Sequence, residues 1–259
     1  MMPVLPGQGI TLPAPSLPVA IDYPAALALR NMALVQDELP KYLLAPEVIA
    51  LLHYVPDLHR KMLLATLWNT GARINEALAL TRADFSLALP YPFVQLATLK
   101  QRAEKAARTA GRAPAGSPPH RLVPLSDPQY VSQLQMMVAT LKIPLERRNR
   151  RSGRTEKARI WEITDRTVRT WISEAVDSAA ADGVTFSVPV TPHTFRHSYA
   201  MHMLYAGIPL KVLQSLMGHK SISSTEVYTR VFALDVAARH RVQFQMPETD
   251  AVAMLKGRS

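Results

Sequence analysis

Apolar residues recur at the three-to-four spacing of an amphipathic helix through most of this chain. Capping residues bound several of these segments: Pro46 stands in a first helical turn, Gly71 follows a last turn, and Thr164 and Gly183 stand at either end of one segment. The pattern predicts helices at about 46–52, 57–68, 73–80, 127–141 and 164–182.

The C-terminal third has the clearest helix boundaries. Thr191 followed by Pro192 is typical of an N-cap and a first helical position, and Gly207 ends that helix. A second helix over 209–217 stops at Gly218. The sequence then predicts a further turn over 224–230, a helix near 234–240 and a small amphipathic helix at 249–256.

One stretch changes to the period of a strand. Residues 92–99 are predicted to form a strand, with residues 121–125 as its antiparallel partner. Their connection is long and basic, and so long a hairpin tip is typical of a functional or disordered segment. The expected fold class is therefore mainly α with a small antiparallel β-sheet (α+β).

The start of the chain has a different character. Residues 1–24 contain six Pro and two Gly and follow neither period, which predicts an extended or disordered arm. A weak helical pattern runs from Tyr23 to Leu39.

Composition narrows the class of protein. With 259 residues, 48% hydrophobic and 19% charged, the chain can bury a core for one large domain or two small ones. It has no Cys, which excludes disulfides, thiolate metal sites and Cys nucleophiles. No apolar run reaches the roughly 18 to 20 residues of a membrane helix, and no signal peptide is evident. We expect a cytoplasmic protein without a membrane partner.

The positive charge of the chain is concentrated in one segment. Residues 100–159 hold 14 basic residues against four acidic ones, an excess equal to the +10 net charge of the whole chain. The other 199 residues carry 16 of each sign. Such a distribution indicates a polyanion binder, most often a nucleic-acid binder, although a solvated basic loop has the same composition.

Common catalytic signatures are absent. The sequence has no Gly-x-Ser-x-Gly, His-Glu-x-x-His or Gly-x-Gly-x-x-Gly, and the spacing of Gly111 and Gly116 lacks the Lys of a phosphate loop. His193 and His197 stand four apart as a metal pair would, but no carboxylate lies between them. We therefore expect neither a cofactor nor a metal.

Three short motifs stand in order along the chain. They are Thr70-Gly71-Ala72-Arg73-Ile74-Asn75-Glu76, Thr191-Pro192-His193-Thr194-Phe195-Arg196-His197 and Leu216-Met217-Gly218-His219-Lys220, and Tyr228 follows nine residues after His219. Over about residues 40–240 the sequence resembles the tyrosine recombinases of the phage integrase family. The resemblance implies the catalytic-domain fold of that family and site-specific DNA recombination.

These residue types suit attack on a DNA phosphodiester without a metal ion. The transition state gathers negative charge on nonbridging oxygens, and the planar, always-charged forks of Arg73 and Arg196 can bond such oxygens bidentately. The resemblance gives both arginines this role and adds His219 as a third donor. It makes Tyr228 the nucleophile of a 3′-phosphotyrosyl intermediate, which conserves the energy of the broken linkage.

A free phenol, with a pKa of about 10, needs help to react at neutral pH. The resemblance implies His193 as the base or proton relay and Lys100 as the acid that protonates the departing 5′ oxygen. Lys105 takes that part if the hairpin register differs. Glu76 matches an acidic position of the family and is expected to orient groups of the site. His197 is expected to pack beside or behind the site residues.

Two basic segments, residues 100–121 and 147–159, are expected to contact DNA phosphates, so that binding falls steeply with salt. The second is expected to be a mobile loop. The side chains expected to bind DNA are Arg102, Lys105, Arg108, Arg112, Arg147, Arg148, Arg150, Arg151 and Arg154.

Most relatives carry an N-terminal helical domain that closes a clamp around the duplex. Residues 1–40 are expected to be a Pro-rich arm with a weak helix, too short for such a domain. The chain therefore resembles the short members of the family, or a version whose upstream domain is missing. Residues 41–241 are expected to be the catalytic domain, and residues 242–259 a tail that docks on a neighbouring protomer.

The resemblance implies double-stranded DNA with two recombination sites as the partner, a homotetramer on that DNA, and accessory DNA-bending proteins. The reaction can resolve replicon multimers, invert DNA or integrate it. Two alternatives stay open. A type IB topoisomerase shares the catalytic set but relaxes supercoils, and a DNA-binding protein without catalysis shares the charge.

Overall fold

The computed structural model describes residues 23–34, 39–88, 90–98, 120–149, 153–186 and 188–240, together with residues 249, 254 and 256. Within them lie nine α-helices and five short strands. The helices are α1 (Tyr23–Leu34), α2 (Ala45–His53), α3 (Leu58–Thr70), α4 (Ile74–Leu78), α5 (Pro128–Thr140), α6 (Asp165–Ala181), α7 (Pro192–Tyr205), α8 (Leu210–Met217) and α9 (Ser223–His240). The strands are β1 (Phe85–Ser86), β2 (Phe93–Ala97), β3 (His120–Pro124), β4 (Glu146–Arg148) and β5 (Thr155–Lys157). In this part of the chain no helix is long and apolar enough to cross a membrane.

The predicted helix ends are formed by the expected caps. Thr191 accepts a hydrogen bond from the backbone N–H of Thr194 (3.1 Å) and opens α7, with Pro192 in its first turn. Thr164 caps α6 in the same way, accepting from the N–H of Thr167 (3.2 Å). Local capping chemistry therefore fixes where the helix with the central motif begins.

A three-stranded antiparallel sheet in the order β1-β2-β3 packs beside the helices. The predicted pairing of β2 with β3 is confirmed, with Val94 opposite Val123 and both buried. The two-residue strand β1 was not predicted, because two residues carry too little alternation to be recognised.

The main core lies between α2, α3, α5, α6 and this sheet. Trp161 is fully buried and donates its indole N–H to the backbone oxygen of His59 (3.0 Å). Trp171 lies partly buried at the edge of the same core.

A second core cluster joins α1 to α7, α8 and α9. Met201, Leu204 and Leu213 are buried there. Arg30 of α1 is also buried, and its guanidinium forms an ion pair with Glu47 in the first turn of α2. The helix inside the predicted N-terminal arm is thus packed on the same core as the C-terminal helices.

The prediction of a turn followed by a separate helix after residue 223 is wrong, because α9 is continuous from Ser223 to His240. No Gly or Pro interrupts residues 224–240. Tyr228 and Phe232, one helical turn apart, both belong to the second core, and the ring of Phe232 lies 5.9 Å from that of Tyr205. This packing carries the helix past the predicted break.

The prediction of a mobile loop over 147–159 is also wrong for the described part of that segment. Strands β4 and β5 pair there as an antiparallel hairpin, with Arg147 opposite Glu156 and Glu146 opposite Lys157. Opposite charges face each other across the hairpin, and such pairs stabilise neighbouring strands. Strands built from charged and polar residues lack the alternation of apolar and polar residues by which a strand is predicted.

Two glycines with positive φ shape the helix ends beside the motifs. Gly71 ends α3 at φ 59°, and Gly218 ends α8 at φ 63°. An added Cβ on Gly71 would overlap the ring of Tyr199, and one on Gly218 would lie 3.1 Å from Arg121. Both turns therefore need glycine for conformation and for space.

We predict that Gly71→Ala destabilises the protein more than Gly183→Ala. Both positions have positive φ, which costs alanine about 1–2 kcal/mol. Only at Gly71 does the new methyl also meet a buried ring, which adds about 1–3 kcal/mol of overpacking. Chemical unfolding of both variants measures the difference, and equal losses would show that the ring of Tyr199 moves aside freely.

Candidate active site

Residues of the first two motifs meet in one cleft of about 660 Å³ between the start of α4 and the start of α7. Arg73, His193 and Arg196 line it, together with Glu76. Residues more than a hundred positions apart in the sequence are thus brought together, as the resemblance implied.

Arg196 is buried and anchored by backbone oxygens. It donates to the carbonyl of Gly71 and, at 2.6 Å, to that of Met217. Burial first, and then the nearby charge of Arg73, lower its pKa to about 10. The group is still a cation at neutral pH, held with one edge against the protein and facing the cleft.

Glu76 holds the other cleft arginine in place. Its carboxylate accepts from the Arg73 guanidinium (2.9 Å) and from the Arg73 backbone N–H (3.0 Å). A second guanidinium, from Arg121 of β3, donates to it at 2.6 Å. Burial raises the pKa of Glu76, but the hydrogen bonds and charges of the two arginines outweigh burial and lower it. Glu76 thus holds the backbone N–H and the guanidinium of Arg73 through two hydrogen bonds.

The sequence indicates for Arg121 only that it belongs to the basic segment 100–121. In the structure it is nearly buried and donates from Nε to the backbone oxygen of Leu216 (2.8 Å), besides its bond to Glu76. It thereby joins the first motif to the third. The sequence carries no local signal for this role, because Leu216 lies 95 residues away.

His219 follows the glycine turn at the end of α8. Its Nδ1 lies 2.9 Å from Thr225 Oγ1. Burial first, and then the charges of Arg196, Arg73 and Arg121, lower its pKa to about 4, so the ring is neutral at neutral pH. These charges act on it because it lies at the same cluster of guanidinium groups.

Tyr228 of α9 is buried, with its ring against the second core. Its hydroxyl lies 2.8 Å from Nδ1 of His197. Burial raises the pKa of Tyr228 to about 12, although Arg196 and Arg73 act in the opposite direction. The phenol is thus held protonated near the two cleft arginines.

His193 and His197 stand one helical turn apart on α7, with ring centroids 4.2 Å apart. Burial, then Arg196 and Arg73, lower the pKa of His193. For His197, burial followed by the charges of His193, Arg196 and His219 lowers the pKa to about 3. His197 was expected to pack beside the site, yet it makes the contact with the tyrosine hydroxyl. The four-residue spacing of His193 and His197 places both rings on one face of the helix, which fits a second site histidine as well as a metal pair.

The remaining predicted residues divide into two groups. Arg147 of the β4-β5 hairpin forms ion pairs with Glu156 (2.9 Å) and Glu162, and Arg148 donates to the backbone oxygen of Gly153 (3.1 Å). The carboxylates compensate much of the charge expected to meet DNA at Arg147. Lys100, Lys105, Arg102, Arg108, Arg112, Arg150 and Arg151 lie outside the described residues.

Comparisons with known proteins identify the family of the chain. Residues 119–234 match the phage integrase family. The chain is 90% identical over 241 residues to a protein named resolvase from Escherichia coli strain K12, covering 93% of this chain and 90% of that protein. It is 47% identical over 255 residues to a probable site-specific recombinase of Escherichia coli, covering 98% and 96% of the two chains. The chain belongs to the phage integrase family of tyrosine recombinases.

The protein is therefore a site-specific recombinase, an enzyme that cleaves and rejoins DNA. Solved recombinases share its fold. A XerH recombinase bound to a difH substrate aligns with a TM-score of 0.55 at 18% identity, and the XerA recombinase with 0.54 at 20%. They cover 79% and 81% of this chain, which spans about half of the XerH chain (53%) and 66% of XerA. The expected fold class is confirmed.

The buried carboxylate offers a stability test. We predict that Glu76→Gln lowers the free energy of unfolding of the recombinase by about 3 kcal/mol, because it leaves the buried Arg121 guanidinium without its counter-charge. The control is Glu174→Gln, whose carboxylate is 54% exposed where it pairs with Arg60; exposed pairs contribute about 1 kcal/mol or less. Urea unfolding compares the two. Similar losses would mean that the buried pair is no stronger than the surface pair.

The neutral histidines make stability depend on pH. Above pH of about 6.5, His197 is neutral in both the folded and the unfolded chain; below it, the unfolded chain takes up a proton that the folded protein does not. The protein therefore loses stability as the pH falls below about 6.5. We predict that His197→Asn flattens this fall by about 1–2 kcal/mol between about pH 6.5 and 5, measured by thermal unfolding. Parallel curves for the two proteins would show that the folded state protonates His197 as readily as the unfolded state.

Proposed function

We propose that this recombinase is a resolvase, which joins and exchanges two copies of a DNA site through a covalent 3′-phosphotyrosyl bond to Tyr228. One observation carries the proposal: two oriented guanidinium groups, Arg73 and Arg196, line a cleft beside a buried tyrosine whose hydroxyl is held by an imidazole. The names of relatives that match nearly the whole chain support the resolving role.

The proposed roles follow from the chemistry of each group. Arg73 and Arg196 bind the nonbridging oxygens of the phosphate, where charge develops in the transition state, and His219 adds a further hydrogen bond. Glu76 keeps Arg73 in its orientation. Since these donors are fixed before the substrate arrives, little reorganisation is needed during the reaction.

The proton that the leaving 5′ oxygen takes up comes from Lys100 in this proposal, with Lys105 as the alternative. The side chains that bind the DNA backbone in this proposal are Arg102, Lys105, Arg108, Arg112, Arg148, Arg150, Arg151 and Arg154. Arg147 takes a smaller part, because two carboxylates already neutralise it. Binding should weaken steeply as salt rises.

The larger assembly is part of the same proposal. Residues 41–241 form the catalytic domain, residues 1–40 an arm, and residues 242–259 a tail that docks on the next protomer of a tetramer. The assembly acts in the cytoplasm on double-stranded DNA with two sites, and accessory DNA-bending proteins help to bring the sites together.

Covalent trapping tests the chemistry. DNA from the genome that encodes the chain is incubated with wild-type protein and with Tyr228→Phe, and protein-linked ends are isolated after SDS denaturation. We expect a 3′-linked adduct with the wild type and none with the variant, whereas both bind DNA to a similar extent. Sequencing the trapped ends maps the site.

A plasmid with two copies of the mapped site, in direct repeat, then tests the resolving role. We expect two separate circles from the wild type. Relaxed circles without recombinant products would favour a topoisomerase. Salt-sensitive DNA binding with no adduct from either protein would contradict the proposed chemistry and favour a DNA-binding protein.

A further inference from the structure

The tyrosine hydroxyl has one hydrogen-bond partner among the described residues, and it is His197 rather than His193. The distance from Nδ1 of His197 to Oη of Tyr228 is 2.8 Å, and the two rings meet edge to face with centroids 5.5 Å apart. The ring of His193 lies 4.2 Å from that of His197, between centroids, and lines the cleft beside Arg73 and Arg196. The two histidines of the motif thus face different partners.

The direction of this hydrogen bond follows from the surroundings. Burial of the His197 ring, together with the nearby positive charge of Arg196, lowers its pKa. The ring is therefore neutral. A neutral imidazole has one nitrogen that accepts, and the protonated phenol is a good donor. In the tautomer with the His197 proton on Nε2, Tyr228 donates to Nδ1. The lone pairs of the phenol oxygen are left for another partner.

We propose that His197 is a catalytic residue that accepts the phenolic proton of Tyr228 during attack on the DNA phosphate. This inference rests on the proposed function. As the bond from Oη to phosphorus forms, the bond from phosphorus to the 5′ oxygen breaks, the phenolic proton passes to Nδ1, and the 5′ oxygen leaves with a proton from a separate acid. In ligation the proton returns from His197 to Oη.

The timing of the transfer explains how a weakly basic ring can serve. The free phenol holds its proton strongly, but the oxygen loses its basicity once it bonds to phosphorus, and the proton must then leave. His197 Nδ1 is the acceptor already within hydrogen-bond distance. A ring that is neutral before the reaction has its acceptor site vacant, as a general base requires.

The resemblance implies His193 as the base or proton relay, whereas the present proposal gives His193 a different task. It lines the cleft together with both arginines, so it can donate a hydrogen bond to a phosphate oxygen there. The two histidines, one helical turn apart on α7, thus have different roles in this proposal: His193 faces the cleft that takes the phosphate, and His197 contacts the nucleophile.

The matched variants for the test are His197→Asn and His197→Phe. The asparagine amide oxygen occupies nearly the position of Nδ1 and can accept the hydrogen bond, but it cannot take the proton. Phenylalanine can do neither. If His197 only positioned Tyr228, asparagine would retain cleavage and phenylalanine would not.

The readout is the single-turnover rate of covalent adduct formation on a nicked DNA that carries the mapped site and traps the cleaved state. We expect His197→Asn to be slower by about 10²- to 10⁴-fold with unchanged DNA affinity, because a general base contributes that much. A rate within about threefold of the wild type would overturn the proposal. The wild-type adduct itself reports on the proposed function, so the two failures are distinguishable.

A second substrate separates the base from the acid. Sulfur in place of the bridging 5′ oxygen gives a leaving group that needs no protonation. We expect this substrate to leave the His197→Asn defect in place. Recovery of the variant to the wild-type rate would show that His197 serves the leaving group instead, and would overturn the assignment.

A measurement on the wild-type protein keeps the proposal falsifiable if the variants do not fold. Nitrogen-15 labelled histidine reports the tautomer of each ring by NMR. We expect the proton of His197 on Nε2, and a change at its Nδ1 signal in Tyr228→Phe. A proton on Nδ1 of His197 in the free protein would overturn the proposal.

Discussion

Two buried guanidinium groups need hydrogen-bond acceptors, and the helix ends that provide them set the layout of the site. Arg196 donates to carbonyls at Gly71 and Met217, and Arg121 donates to the same end of α8. Uncompensated burial of a charge costs several kcal/mol, whereas the last carbonyls of a helix are unpaired and carry its negative dipole end. Both helices must therefore stop where the carbonyls are needed, which requires glycine at 71 and 218. The positions of the buried charges and the positions of the two glycine turns therefore depend on each other.

The same buried cations divide the site into groups that carry charge and groups that can carry protons. Arg196 stays ionised at neutral pH even with its pKa lowered to about 10. Its field, with that of Arg73, helps to lower the pKa of His193 and His219, and both rings are neutral as a result. A phosphate then meets permanent positive charge from the arginines and uncharged imidazoles beside them. This separation suits phosphoryl transfer, in which charge stabilisation and proton movement are distinct demands.

The sequence allowed most of the helices, the β2-β3 pairing and the cleft residues to be predicted, because caps, glycine stops and short motifs are local. The contacts that complete the site are not local. Arg121 reaches Leu216 across 95 residues, and His197 reaches Tyr228 across 31. The β4-β5 hairpin is held by pairs of opposite charge across the strands rather than by apolar residues. Helix α9 continues because Phe232 packs on Tyr205 at the end of α7. Where tertiary packing decides, hydrophobic periodicity carries too little information.

The positive field also bears on when a proton acceptor becomes effective. In the free protein, burial and the charges around His197 hold its pKa near 3, so the ring is a weak base and its acceptor nitrogen carries no proton. A phosphodiester in the cleft brings a negative charge next to Arg73 and Arg196 and offsets part of that field. The imidazole then gains basicity only while the substrate is bound. Because the phosphorus of that phosphate is the atom attacked in the proposed reaction, binding of the substrate and readiness of the proposed proton acceptor are coupled through electrostatics.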